Sequence, residues 1–138
     1  MKFTAFSLAT LTALALAHPA LANAPREEST ASGIRIQHLR EGTGANPVAA
    51  DSVRVHYKGE LPDGTVFDSS YARNAPASFP LGRVIPCWTE GMQRLKVGGK
   101  ARLICPANLA YGSRGVPGRI PPDTPLMFEV ELLDIVGR

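Results

Sequence analysis

The chain has 138 residues, 44% of them hydrophobic and 20% charged, with 15 Lys and Arg against 12 Asp and Glu. That is one domain's worth of ordinary globular composition, neither disordered nor fibrous. A net charge of +3 with no basic run or stripe excludes nucleic acid as the expected partner.

Residues 1–22, MKFTAFSLATLTALALAHPALA, read as a secretory signal peptide. Lys2 is a small basic start, Phe3 to Ala17 an apolar stretch, and Ala20-Leu21-Ala22 a small-residue cleavage site. The competing reading is a membrane anchor, but the apolar stretch ends at His18-Pro19, short of the roughly 20 residues that span a bilayer. Cleavage after Ala22 predicts a mature chain that starts at Asn23, with 138 − 22 = 116 residues, a charge of 14 − 12 = +2 and no membrane span. Export follows, to a periplasm, an exterior or a secretory lumen, all of them oxidising. Asn23 to Ser32, NAPREESTAS, is polar without period and is expected to be a disordered lead-in, which places the folded domain at 33–138.

Gly33 to Arg40 puts Ile34 and Ile36 on one side of a strand, with His38 expected as a surface residue of it. Glu41 to Ala50 is loop by its Gly, Asn and Pro content. From Asp51 to Glu60, Val53, Val55 and Tyr57 alternate with Arg54, His56 and Lys58, so one face is buried. Leu61-Pro62-Asp63-Gly64 supplies turn chemistry, and Thr65 to Asp68 resumes as a strand, which predicts a hairpin. Tyr57 and Phe67 then form a shared apolar wall or are plain core. Asp68, next to Phe67, is either a turn aspartate before Ser69-Ser70 or a functional carboxylate. Tyr71 to Ser78 is a loop and Phe79 to Gly82 a short extended piece.

Val84 to Cys105 is the hub, with the only tryptophan and both cysteines. Trp88, Met92 and Leu95 lie at i, i+4 and i+7, the stripe of a helix of about two turns. Pro86 suits its entry, Glu90 its first turn, and Gly98-Gly99 its end. Ala101, Leu103 and Cys105 then alternate as a strand able to carry the helix on one face. Five prolines and three glycines crowd residues 106–125 into a long structured loop in which Tyr111 and Ile120 have something to bury. Leu126 to Val136 closes the chain as a strand, with Leu126, Phe128, Val130 and Leu132 on one face and Met127, Leu133 and Ile135 on the other. The reading is an α+β domain, one short helix on a twisted sheet.

No nucleophile elbow, phosphate loop, dinucleotide fingerprint or H-E-x-x-H occurs, and the cysteines and remaining histidines lack metal-ligand spacing. Neither a metal nor a cofactor is assigned. Chemistry must come from an apolar pocket with a few polar groups. Cys87 and Cys105 are expected to come together where the helix start meets its strand, as a disulfide or as two buried thiols.

HYKGELPDGTVFDSS, VIPCWTEGMQRLKVGGKARL, AYGSRGVPG and IPPDTPLMFEVELL, in that order, closely resemble the FKBP family of peptidyl-prolyl isomerases from about Gly33 to Val136. The resemblance implies an antiparallel sheet of about five strands wrapped around one short helix. It implies catalytic roles for Tyr57 of H-Y-x-G, Asp68 of F-D-S-S, Trp88 as the pocket floor, Tyr111 of A-Y-G and Phe128. It implies substrate contacts from Phe67, Arg73, Val84, Ile85 and Ile120. Proline-containing peptides and unfolded exported proteins are the implied substrates, tacrolimus or rapamycin the implied ligands, and a secreted single-domain monomer the implied form. The chain departs at Ala77, where many members carry an aromatic, at Val116 and Arg119 over the pocket, and at Cys87 in place of a glycine. The same groove would also serve a proline-peptide-binding chaperone with little turnover, and the Pro-Gly loop a protein interaction module.

Overall fold

The computed structural model describes residues 26–137. The signal peptide and cleavage site expected at 1–22 lie outside them. The described elements are strands β1 (Arg26–Ser29), β2 (Arg35–Arg40), β3 (Ser52–Glu60), β4 (Val66–Ser69), β5 (Ala77–Pro80), β6 (Lys100–Cys105) and β7 (Leu126–Val136), three 3-10 turns and one α-helix, α1 (Pro86–Met92). All strand pairs are antiparallel, in the order β1-β2-β6-β7-β3-β4, with β5 pairing β3 off that path. The sheet has seven strands against the expected five or so, the short β1 and β5 being the two that the sequence did not show.

Alternation decides which face is inside. Val53, Val55 and Tyr57 of β3, Ala101, Leu103 and Cys105 of β6, and Leu126, Phe128, Val130 and Leu132 of β7 are all buried. The register brings Tyr57 opposite Val130, and Phe128 opposite both Gly59 and Leu103, so these side chains form one apolar sheet face. Each such Val or Leu contributes about 1.5–3 kcal/mol by leaving water. Helix α1 covers this face with Cys87, Trp88 and Met92. It lies close because Gly91 has no side chain: a Cβ there would be 3.1 Å from Leu103 Cδ1. A disulfide joins Cys87 at the helix start to Cys105 at the end of β6, with Cα atoms 5.8 Å apart.

The helix begins as expected, with Pro86 in the first turn and the Ile85 carbonyl accepting from the Trp88 and Thr89 N–H groups. It ends early. Arg94 and Leu95 donate to the carbonyls of Gly91 and Met92, tightening the chain out of the α-helix, so Leu95 is buried from the turn that follows, and Glu90, the fifth helical residue, lies beyond the first turn. Gly98-Gly99 does not cap the helix. This stretch serves a crossing of two loops: a Cβ on Gly42 would stand 2.5 Å from the Lys96 and Val97 carbonyl oxygens, and one on Gly99 3.3 Å from the Gly42 nitrogen and 3.4 Å from the Arg40 carbonyl oxygen.

Three further expectations are corrected. Part of the expected disordered lead-in is strand β1, held by pairing with β2 and by Glu27–Arg35 and Glu28–His38 contacts of 2.6 and 2.7 Å. His38 is 4% exposed because it continues the inward parity of Ile34 and Ile36, and its Nε2 meets the Glu28 carboxylate. Ile135 is buried, not on the outer face: the β3–β7 register shifts between Arg54 and Val55, so that Val55 pairs with Leu132 and Val53 with Ile135. One extra residue in β7 flips the parity.

Candidate functional site

The hairpin β3–β4 places the first wall. Its turn closes as its Pro-Asp-Gly chemistry predicts, with Asp63 Oδ1 accepting from the Thr65 N–H at 2.9 Å. At the far end Ser70, fully buried, clips the two strands: the Tyr57 N–H donates to Ser70 Oγ at 2.7 Å and the Ser70 N–H to the Tyr57 carbonyl at 2.9 Å. Tyr57, Phe67 and Asp68 are thereby fixed beside one another. Strand β5 brings Phe79 alongside β3, and the chain then turns at Leu81–Arg83 into Val84, Ile85 and α1. Thr89 Oγ1 donates to the Leu81 carbonyl at 2.6 Å and locks that turn to the helix.

These elements enclose an open cavity of about 330 Å³ lined by Tyr57, Phe67, Asp68, Phe79, Arg83, Val84, Ile85, Trp88, Tyr111 and Phe128. Trp88 is its floor. Tyr57, Phe79 and Phe128 meet the indole edge-on, with ring centroids 5.3, 5.3 and 5.4 Å away. Phe67 meets Phe128 edge-on at 5.7 Å. Such contacts add about 0.5–1.5 kcal/mol each beyond area burial, so the walls are stiff. The indole Nε1 is buried with no hydrogen-bond partner among the described residues.

The polar groups cluster at one side. Tyr57 Oη donates to Asp68 Oδ2 at 2.5 Å, Arg73 Nη1 to Asp68 Oδ1 at 2.7 Å, and Arg73 Nη2 to Tyr57 Oη at 3.0 Å. Burial alone would raise the Asp68 carboxyl, but the hydrogen bonds from Tyr57 and Arg73 outweigh it and hold the group below its ordinary value. Burial and the bond to Asp68 push the Tyr57 hydroxyl up. Asp68 is therefore a carboxylate at neutral pH and Tyr57 a neutral donor. The hydroxyl of Tyr111, which is 41% exposed, and the N–H of Ile85 also carry no partner among the described residues.

Of the residues singled out from the sequence, Tyr57, Phe67, Asp68, Val84, Ile85, Trp88, Tyr111 and Phe128 meet around the cavity. Arg73 and Ile120, expected to touch substrate, do not line it. Arg73 stands behind the wall, its guanidinium taken by Asp68 and Tyr57. Ile120 is 4% exposed in the core, where its pairing with Val116 shapes the loop that carries Tyr111. Sequence reasoning missed Phe79 and Arg83. Phe79 had a signal, an aromatic two residues after Ala77 on the same strand face. Arg83 had none.

Comparison with known proteins agrees with this geometry. The family model for FKBP-type peptidyl-prolyl cis-trans isomerases matches residues 44–133. The FKBP-type 22 kDa peptidyl-prolyl cis-trans isomerase of Escherichia coli strain K12 is 52% identical over 116 residues, covering 83% of this chain and 56% of that protein. The crystal structure of FkpA from Escherichia coli superposes with a TM-score of 0.77 at 46% identity, over 84% of this chain and 54% of that one. That of a peptidyl-prolyl cis-trans isomerase from Pseudomonas syringae pv. tomato gives 0.75 at 42% identity, over 79% and 80%. The chain spans about half the length of the curated relatives it matches, 56% of the 22 kDa protein and 43% of FkpA from Aeromonas hydrophila.

Proposed function

The chain belongs to the FKBP-type peptidyl-prolyl cis-trans isomerase family, and we propose that it speeds rotation about X-Pro bonds by taking the proline ring onto Trp88. The observation that carries this is the composition of the cavity: an aromatic box in which the Tyr111 hydroxyl and the Ile85 N–H have no partner among the described residues. Rotation about the amide crosses a barrier of about 18–20 kcal/mol because twisting destroys resonance, and no bond has to break. A site accelerates it only by holding the twisted amide better than the planar one. The planar amide has the larger carbonyl dipole and is better solvated by water, so a pocket that strips water away disfavours it. Each 1.36 kcal/mol of that difference is worth about tenfold in rate.

The remaining groups have separate tasks in this reading. Tyr111 donates to the substrate carbonyl, and the Ile85 N–H holds the peptide beyond the proline. Asp68 contributes a fixed negative field beside the rotating amide and never moves a proton, since its charge is held by Arg73 and Tyr57. Tacrolimus and rapamycin would occupy the same cavity. The clients are unfolded exported proteins, met by a monomer. Export is supported by residues 1–22 and by the Cys87–Cys105 bridge, which an oxidising compartment sustains. No helix among the described residues is long and apolar enough to cross a membrane.

The deciding measurement is the cis-to-trans rate of a blocked Ala-Leu-Pro-Gln peptide, followed by NMR exchange with and without the exported chain. Acceleration that stops when a tight proline-ring competitor fills the cavity is the expected result. Peptide binding without acceleration would refute the isomerase reading in favour of a binding module. Sequencing the exported protein from its N-terminus should give Asn23 first.

A further inference from the structure

Two of the ten cavity-lining residues carry charge, and their situations differ. Asp68 is neutralised by Arg73 at 2.7 Å. Arg83 has no carboxylate and no hydrogen-bond acceptor among the described residues, although eleven ion pairs occupy most of the other cations. It is exposed at the end of the Leu81–Arg83 turn, two residues before Ile85. The loop that carries Tyr111 adds Arg114 and Arg119, both exposed and likewise without a carboxylate, against one acidic residue, Asp123. The mouth of an apolar cavity thus keeps an unneutralised positive charge.

We propose that Arg83 is a specificity-determining residue that selects substrates with an acidic side chain directly after the proline. The proposal rests on the isomerase reading, in which the Ile85 N–H takes the peptide beyond the proline. A peptide bonded there runs past the chain segment that carries Arg83, and a carboxylate at the next position is the group within reach of the free guanidinium. A lysine at that position meets repulsion instead. The pair is solvent-exposed, so the effect is modest and screened by salt.

The test compares kcat/KM for blocked Ala-Leu-Pro-Glu, Ala-Leu-Pro-Gln and Ala-Leu-Pro-Lys at low ionic strength, for the exported chain and for Arg83→Gln and Arg83→Glu. The expected order is Glu, Gln, Lys, with Glu preferred over Gln by about two- to fivefold. Arg83→Gln should flatten the order, Arg83→Glu invert it, and added salt compress it in the unaltered chain. The ratios are the readout, so a general loss of activity in a variant does not obscure them. Equal rates for the three peptides in the unaltered chain, or an order unchanged in Arg83→Gln, would overturn the role of Arg83. Failure to isomerise any of the three would instead overturn the isomerase reading beneath it.

Discussion

Gly59 sits where three strands converge on the cavity, opposite Asp68 of β4 and Phe128 of β7. Replacing it with alanine would put a Cβ 2.5 Å from Phe67 Cζ, 2.9 Å from Phe128 Cε1 and 3.0 Å from Phe67 Cε1. Carbon atoms rest about 3.5–4.0 Å apart, so the Phe67 ring must withdraw by roughly 1–1.5 Å and that of Phe128 by roughly 0.6–1.1 Å. Overpacking by one methyl group costs about 1–3 kcal/mol, and alanine's lower unfolded-state entropy returns about 0.4–1 kcal/mol. Phe67 is only half-buried and gives way more easily than Phe128, so a net loss of about 1 kcal/mol is expected, a fall of about 3–6 °C in Tm. Activity should suffer more. Phe128 rests edge-on against Trp88, so its retreat reshapes the floor, and kcat/KM should drop tenfold or more, about 1.4 kcal/mol. Isomerisation rate, melting temperature and the fluorescence change of the only tryptophan on peptide binding report the three effects separately. Gly64→Ala is the control: it strains a hairpin turn at φ 89° but meets no neighbour within 4 Å, so it should lower Tm and leave activity intact. Wild-type kcat/KM in folded Gly59→Ala would refute the idea that Phe67 and Phe128 shape the space in which the amide turns.

Asp68→Val removes the fixed charge while Tyr57 Oη keeps Arg73 as partner, so the fold should persist and kcat/KM fall about tenfold; full activity in a folded variant would reduce Asp68 to a turn residue. Because the Asp68 pKa is lower in the folded than in the unfolded chain, the unfolded state takes up its proton first. Its stabilisation is complete above the unfolded value of about 3.9 and fades as pH falls through the folded one. The gap between the melting curves of wild type and Asp68→Asn should therefore stay constant at neutral and mildly acid pH and close only as pH falls below about 3.9, and a gap that stays constant on further acidification would contradict the ion pair. Phe79→Ala, losing a half-buried ring that braces both Tyr57 and Trp88, should cost about 2 kcal/mol in denaturant unfolding and loosen peptide binding. Thiol titration of the unfolded, unreduced chain should find no reactive cysteine, and reduction of the 18-position bridge should lower stability by about 3 kcal/mol; two reactive thiols would show the bridge absent from the isolated protein.

What could be foreseen from the residues is what a single buried face imposes. Val53-Val55-Tyr57 and Leu126-Phe128-Val130-Leu132 alternate because each slip by one residue would turn the whole apolar set into water. The site residues on these strands inherited that clarity, and motif order supplied the rest. β1 escaped because REES buries almost nothing: backbone pairing and ion pairs hold it, and neither has a period. Ile135 escaped because a bulge resets parity without any turn residue to announce it. The helix end was misplaced because Gly98-Gly99 looks the same whether it caps a helix or lets two loops cross. Arg83 was invisible for a different reason: its interest lies in what it fails to contact, and missing partners leave no pattern in a sequence.

The order of strands has a practical reach. Arg26 enters the sheet on β1, five strand spacings from the β4 edge that carries Phe67 and Asp68. At about 4.8 Å per spacing this is on the order of 20 Å, with the sheet's own width in between. Anything tethered ahead of Arg26, whether an affinity tag, a surface linker or a neighbouring module, thus enters at the sheet edge opposite the one that carries Phe67 and Asp68. Immobilisation through that end should leave the mouth open to large, non-native chains, so the domain is suited to work on a leash.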